Sequence, residues 1–388
     1  MARFARPSGL RIAHRIDEVA PALAWAQGRA RAGCWVAGFV AYEAAPAFDP
    51  AFAVRRGGSL PLAWFAAFPE GDFAAAPDAD GTLPASLRWR TAMSRGDAGA
   101  AIAAIRARIA AGGVYQVNLT THLETAWESD APAWFETLRA SQPDGYCADL
   151  DLGTHRIVSV SPELFFDWNE EGILITRPMK GTAPRDADPD HDAGFARHLR
   201  ESAKERAENL MIVDLLRSDL GRIARTGSVR VDSLFDVVAL PTVWQMTSTV
   251  RCRTRTEVGL PDVFGALFPC GSITGAPKIA AMRAIAEFEP GPRGVYCGAV
   301  GLLRPGGHAT FNVAIRTVAV DVAARRAQCG IGSGITYDST AAGEWAEWMA
   351  KTRFLRASPP ARHSAAPDVG SHPDSHRARR PGGPVVDE

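Results

Sequence analysis

The chain is poor in cysteine and has no excess of either charge. Its six cysteines, Cys34, Cys147, Cys252, Cys270, Cys297 and Cys329, are scattered through 388 residues. None forms a CxxC pair and none has histidines at zinc spacing, which argues against a structural zinc site. So few unpatterned thiols in a long chain point to a reducing cytoplasm, with all six expected as buried structural side chains. Lys plus Arg and Asp plus Glu both number 43, a formal net charge of zero. A broad nucleic-acid surface needs a basic excess or stripe, so no nucleic-acid partner is expected. No apolar run approaches the length of a membrane span, so no membrane is expected either. The apolar VAPALAWA directly follows Asp17 and Glu18, where a signal peptide would carry a basic flank. It reads as a small buried helix. A Walker loop and an internal repeat are both missing.

What is present has the composition of a globular protein, 46% hydrophobic and 22% charged. Residues 1–90 are rich in Ala, Gly, Pro and aromatics, with buried strands expected at CWVAGFVAYEA (34–44) and LPLAWFAAF (60–68). A polar stretch at 69–84 separates them from the rest. From 97, Ile102, Ile105 and Ile109 recur at helical spacing before Gly112 and Gly113 stop the helix. The strand VYQVNLTTHLETAW follows, then helices over 201–217 and 277–288. Two strands joined at Pro305-Gly306-Gly307 read as a hairpin. A Gly-rich loop, GIGSGI (330–335), leads to a last helix containing EWAEWMAK. The segment 357–388 has hardly any large apolar side chains and is expected to be a disordered tail. Its His363, His372 and His376 read as solvated rather than as a metal tract. The main catalytic region is expected at 91–356.

Several groups carry chemistry. Glu205 and Glu208 lie three apart on one helix, and Glu344 and Glu347 repeat the spacing near the end. Two such faces could converge on magnesium, which often takes only one or two carboxylates with water and substrate. From spacing alone, surface ion pairs with Lys204 and Lys351 are the stronger reading. GSITGAPK (271–278) opens a helix whose free N–H groups, with the Ser272 and Thr274 hydroxyls, suit an anion. Arg316, in an apolar strand, needs a partner: a substrate carboxylate or an internal acid. Tyr296 could offer its hydroxyl to the same ligand or simply pack. In RPMKGTAPR (177–185), read as a loop, Lys180 is open to three readings: a surface charge, an anion clamp or a nucleophile.

The order of these motifs resembles the chorismate-utilising enzyme family. The likeness runs from about 97 to 355: GxxYQVNL (112–119), SPELFF (161–166), RPMKGTAPR, KERAENLMIVDLLRSDLGR (204–222), PTVWQMTSTV (241–250), FPCGSITGAPK (268–278), RGVYCGAVG (293–301), FNVAIRT (311–317) and GSGITYDS (332–339). The resemblance implies an α/β (α+β) fold. It would be one large two-lobed domain of two stacked, mostly antiparallel sheets flanked by helices, with residues 1–90 as its N-terminal part. It implies chorismate as substrate and magnesium as cofactor, with Glu208 and Glu347 as ligands and Glu205 and Glu344 supporting them.

Two positions sort the reactions within the family. Branches that add water to chorismate carry a lysine where Gln116 stands here, and an amide cannot act as that base. Anthranilate-forming branches typically carry alanine where Lys180 stands, whereas the branch that aminates chorismate to 4-amino-4-deoxychorismate carries P-I-K-G-T. The resemblance therefore implies Lys180 as a covalent nucleophile at ring carbon C2 and Glu163 as the acid that protonates the leaving C4 hydroxyl. The product would be a precursor of 4-aminobenzoate and folate. Gln116, Thr182, Thr274, Tyr296, Arg316, Gly332 and Gly334 carry over as substrate contacts, and Lys351 as a charge balancing the metal end. Gln245 stands where many relatives have a histidine associated with pyruvate removal, which fits an enzyme that stops at the aminated product. Ser218 and Cys270 also depart from the family's usual residues, and both changes are expected to be tolerated. No glutaminase constellation is found, so a separate glutamine amidotransferase subunit is expected to supply ammonia. Anthranilate synthesis and a catalytically dead binding homologue are the alternatives.

Overall fold

The computed structural model describes residues 3–69, 87–128, 131–142, 144–240 and 243–356. The expected tail at 357–388 and most of the polar stretch at 69–84 lie outside the described residues, as does the start of PTVWQMTSTV.

The chain opens with β1 (Gly9–Ala13) and α1 (Ile16–Arg31). Asp17 and Glu18 sit in the first turn of α1 and Arg29 and Arg31 in the last, each sign at the end the helix dipole favours. Val19, Ala22, Leu23 and Ala26 bury one face, so VAPALAWA is the apolar stripe of a longer helix. β2 (Trp35–Val40) and β3 (Ala63–Phe68) cover most of the two expected strands. The strand reading fails at YEA: Tyr42–Ala47 is a 3-10 turn containing Pro46, which cannot donate to a ladder.

After β4 (Arg90–Thr91), α2 (Arg95–Ala110) is capped by the Ser94 hydroxyl, which accepts from Asp97 N–H. Next come β5 (Gln116–Ala126), α3 (Ala131–Ala140), β6 (Tyr146–Asp151), β7 (His155–Ser161), β8 (Leu164–Trp168), β9 (Ile173–Arg177) and β10 (Met179–Pro184). They lead to α4 (Pro189–Glu201), α5 (Ala203–Gly221), β11 (Arg230–Ala239), β12 (Val243–Arg253), α6 (Leu260–Leu267), β13 (Gly275–Ala276) and α7 (Lys278–Phe288). The chain closes with β14 (Ala299–Leu303), β15 (Ala309–Val313), β16 (Thr317–Asp321), β17 (Arg326–Ile335) and α8 (Ala341–Lys351). β14 and β15 form the expected hairpin.

Two antiparallel sheets result. One runs β1-β3-β2-β14-β15-β8-β9-β12-β10, with β11 on β12; the other runs β13-β5-β17-β16-β7-β6, with β4 on β5. Polar side chains stitch them together: Asn312 Nδ2 donates to Ser159 Oγ at 3.2 Å, and Ser161 Oγ donates to the Val313 carbonyl at 2.6 Å. Phe165, Phe166, Phe264, Phe268 and Phe311 interlock in the main core, Phe264 edge-on to Phe311 at 5.2 Å. A separate small cluster of Ala183, Leu199 and Met246, flanked by Phe235, Val237 and Trp244, holds α4 to the β10–β11–β12 end.

Three local expectations are corrected. RPMKGTAPR is not a loop: β9 and β10 run along β12, broken only at Pro178. GIGSGI is not a loop either but the end of β17, paired residue for residue with β5. Alternating glycines hid the strand because a residue without a side chain carries no hydropathy signal. Arg316 lies not in a strand but at the bend between β15 and β16, which belong to different sheets, with φ +48°.

Candidate active site

The strand β10 delivers Lys180 by a bulge. Met179 pairs with Thr247 and Thr182 with Gln245, so Lys180 and Gly181 together oppose the single residue Met246. Gly181 takes φ +87°, a conformation that side chains rarely adopt, and a Cβ there would lie 2.9 Å from Glu205 Oε2. The extra residue turns the Lys180 side chain out of the ladder. Lys180 is partly accessible as a residue, yet its amine is surrounded by protein. Burial pushes its pKa down, and Lys351 adds repulsion; Glu208, Glu163 and Glu347 act in the opposite sense.

Gln116 opens β5 and is 1% exposed. A Cβ on Gly334 would lie 2.0 Å from Gln116 Nε2 and 3.2 Å from Lys180 Nζ, so both side-chain ends converge over this glycine. Gln116 Oε1 is buried and, among the described residues, has no hydrogen-bond partner. An orphaned acceptor in such a place is a group that a ligand would satisfy.

Glu163 precedes β8 and is 3% exposed. Its Oε1 accepts from Ser272 Oγ at 2.7 Å, and its backbone N–H donates to Ser161 Oγ at 3.2 Å. Burial raises its pKa to about 7, although Ser272 and Lys180 both favour the carboxylate. An acid raised toward neutrality by burial and an amine shifted downward by burial face each other's charge across the same space.

α5 and α8 bring the four expected glutamates. Glu208 is pushed up, first by burial, then by Glu205 and Glu347, while Lys180 and Lys204 oppose the shift. Carboxylates of both helices thus influence one another across the site. Glu347 is paired at 2.8 Å with Lys351, whose Nζ also donates to the Gly332 carbonyl at 2.7 Å. Glu344 accepts from Ser333 Oγ, which accepts in turn from Trp348 Nε1 at 2.7 Å. Among the described residues no three His, Cys, Asp or Glu side chains already stand together as a metal cage. The donors are hard oxygens, and magnesium is commonly held by one or two carboxylates plus water and substrate, so Glu208 and Glu347 fit that ion.

The remaining expected contacts are less gathered. Thr182 is exposed and its hydroxyl donates to Gln245 Oε1 at 3.1 Å. Thr274 is fully buried and its hydroxyl donates to the Cys270 carbonyl at 3.0 Å. Tyr296 is buried with its ring over Gly330, and its charged neighbours are Arg293 and Glu289 rather than the Lys180 group. Arg316 donates to Gln142 Oε1 at 2.5 Å, not to an acid, and burial lowers its pKa. A guanidinium held by one neutral amide at a positive φ retains donors for an anion. All six cysteines are free, five of them buried and Cys147 partly so.

Sequence reading missed a buried ion network at the back of the site. Arg293 forks onto Glu289 at 2.7 and 2.9 Å and donates to the carbonyls of Ile273 and Asn118. The backbone N–H groups of Arg293 and Gly294 donate to Glu43. No local pattern signalled the pair, because Glu289 and Arg293 lie beyond the end of α7 and are separated by Pro290-Gly291-Pro292.

A family model described as chorismate binding enzyme matches residues 4–357. The aminodeoxychorismate synthase component 1 of Klebsiella aerogenes is 40% identical over 274 residues, covering 71% of this chain and 60% of that protein. The anthranilate synthase component 1 of Streptomyces coelicolor is 38% identical over 292 residues, covering 75% of this chain and 56% of that protein. The chain thus spans less than two thirds of the length of these relatives. The crystal structure of anthranilate synthase component I from Streptococcus pneumoniae superposes with a TM-score of 0.80 at 25% identity, covering 92% of both chains. Motif order, two-sheet architecture and the family match agree: the chain belongs to the chorismate-binding enzyme family.

Proposed function

We propose that the protein is an aminodeoxychorismate synthase component I, aminating chorismate to 4-amino-4-deoxychorismate in a transaminase-type reaction. The observation that carries this reading is the shared burial of Lys180 and Glu163, with the amine's pKa displaced downward and the acid's upward. A neutral Lys180 amine attacks ring carbon C2 while the C4 hydroxyl departs as water, taking the Glu163 proton. Ammonia then adds at C4, the C2–nitrogen bond to Lys180 breaks, and the surplus proton returns to Glu163. Splitting one displacement into two is the gain from a covalent route. The Gln116 amide, with its orphaned oxygen, orients rather than deprotonates. Arg316 is available to a substrate carboxylate.

Magnesium, held by Glu208 and Glu347, would supply a charge clamp for a carboxylate of the substrate. Ammonia would come from the glutaminase of a separate amidotransferase subunit. Six free cysteines and no helix long and apolar enough to cross a membrane among the described residues suit work in the cytoplasm. Similarity to an anthranilate synthase favours that activity as the second reading; Lys180 and Gln245 oppose it. The test supplies purified protein with chorismate, magnesium and ammonium. A product that added lyase converts to 4-aminobenzoate is expected. Fluorescent anthranilate would establish the second reading, and intact chorismate would establish an inactive homologue.

A further inference from the structure

The bulge that aims Lys180 leaves the Gly181 carbonyl outside the regular ladder. One side chain takes it: Gln245 Nε2 donates to Gly181 O at 2.7 Å. The other end of the same amide, Oε1, accepts from Thr182 Oγ1 at 3.1 Å. Gln245 is 9% exposed and directly opposite Thr182 in the register, so its amide spans the two residues that follow Lys180. The neighbouring anchors act further along. Arg185 forks onto Asp192 and stacks on Trp244, 4.6 Å from the ring, while Trp244 Nε1 donates to Asp192. Those contacts fix the end of β10 and not the bulge.

We propose that Gln245 is a positioning residue, clamping the Gly181–Thr182 bulge so that the Lys180 amine is held over Gly334 and facing Gln116. An imidazole at this position has its donor and acceptor on a rigid ring and cannot serve Gly181 O and Thr182 Oγ1 as this amide does. A leucine serves neither. The clamp therefore sets how deeply the amine sits among its charged neighbours: Glu163 ahead of β8, Glu208 on α5, Glu347 and Lys351 on α8. The inference deepens the nucleophile reading of Lys180 and is tested apart from it.

The experiment uses the full chain without substrate. The pH profile of Lys180 acetylation by acetic anhydride is mapped by peptide mass spectrometry for the parent, Gln245→Leu, Gln245→Met and Thr182→Val. In Gln245→Leu the midpoint is expected to rise by at least about one pH unit, as the amine swings toward water. Its kcat is expected to fall about tenfold or more, with KM for chorismate within about twofold. Gln245→Met, which loses the donor to Gly181 O without adding a charge, shifts the same way, and Thr182→Val shifts less. If Gln245→Leu does not fold, the other two variants carry the same comparison. Parental midpoints across the folded variants would overturn the clamp, even if melting temperature fell. Turnover retained by Lys180→Ala would remove the nucleophile reading while leaving the acetylation profiles to judge Gln245.

Discussion

The two walls of the site are built by different means. The Glu163 wall belongs to the main core, backed by interlocked phenylalanines and by the buried Arg293–Glu289 pair, 1% and 3% exposed at the side chain. The Lys180 wall stands on a cluster of three buried residues, held at its rim by an amide clamp, an ion pair and a stacked guanidinium. The difference shows that a perturbed acid and a perturbed amine do not need the same setting. The acid is raised by a packed, apolar surrounding; the amine is placed by polar contacts that a few substitutions can release.

The largest expected effect breaks the Lys180 wall at its tip. Lys180→Ala should lose amination in the lyase-coupled assay while its unfolding midpoint stays near the parent's. Near-parental turnover would mean the amine is not the nucleophile. Next, Glu163→Gln should lower kcat by about 10²–10⁴-fold. Because the acid must be protonated, parental activity should fall as pH rises through about 7. Attack also needs a neutral Lys180 amine, which its burial favours by lowering the pKa. The variant should lack the descending limb, and a limb that persists would assign it elsewhere.

Stability sharpens the same contrast. Phe264→Ala in the packed wall should cost about 3–5 kcal/mol in denaturant unfolding. Trp244→Ala in the other wall should cost about 1–2 kcal/mol, the order of a hydrogen bond plus a cation–π contact. Equal losses would show that the small cluster is no weaker than the core. A last effect is one of pH and concerns Glu43, raised by burial from 4.5 to about 7 despite the two N–H groups it accepts. The folded state binds its proton more tightly, so this contribution is fully present below about 4.5 and is lost as pH rises toward 7. Glu43→Gln should flatten that fall by up to about 1.4 kcal/mol per pH unit, and an unchanged slope would locate the effect elsewhere.

Much of the site was legible because its motifs are long and ordered. Lys180, Glu163, Gln116 and the two glutamate pairs were all named from sequence; helical spacing of Ile102, Ile105 and Ile109 found α2, and α5 and α7 lie where helices were expected. What stayed hidden has physical reasons. Glycine gives no hydropathy, so β17 read as a loop although its glycines make room for Tyr296 and Gln116. A bulge depends on a register between two strands, so RPMKGTAPR alone could not show that Lys180 leaves a ladder. Arg316 read as a strand residue because the bend follows from two strands parting into different sheets. The Glu43–Arg293 contact joins residues 250 apart, beyond any local pattern.

The Arg293 network bridges Glu43, beside β2 of one sheet, to Asn118 on β5 of the other. Sliding the sheets would strand a guanidinium and two carboxylates away from water, which is far dearer than breaking surface contacts. The network therefore acts as a rivet between the two sheets. On the β10–α4 side the Arg185–Asp192 pair is partly exposed, at 32% and 12%, so losing it would leave its charges within reach of water.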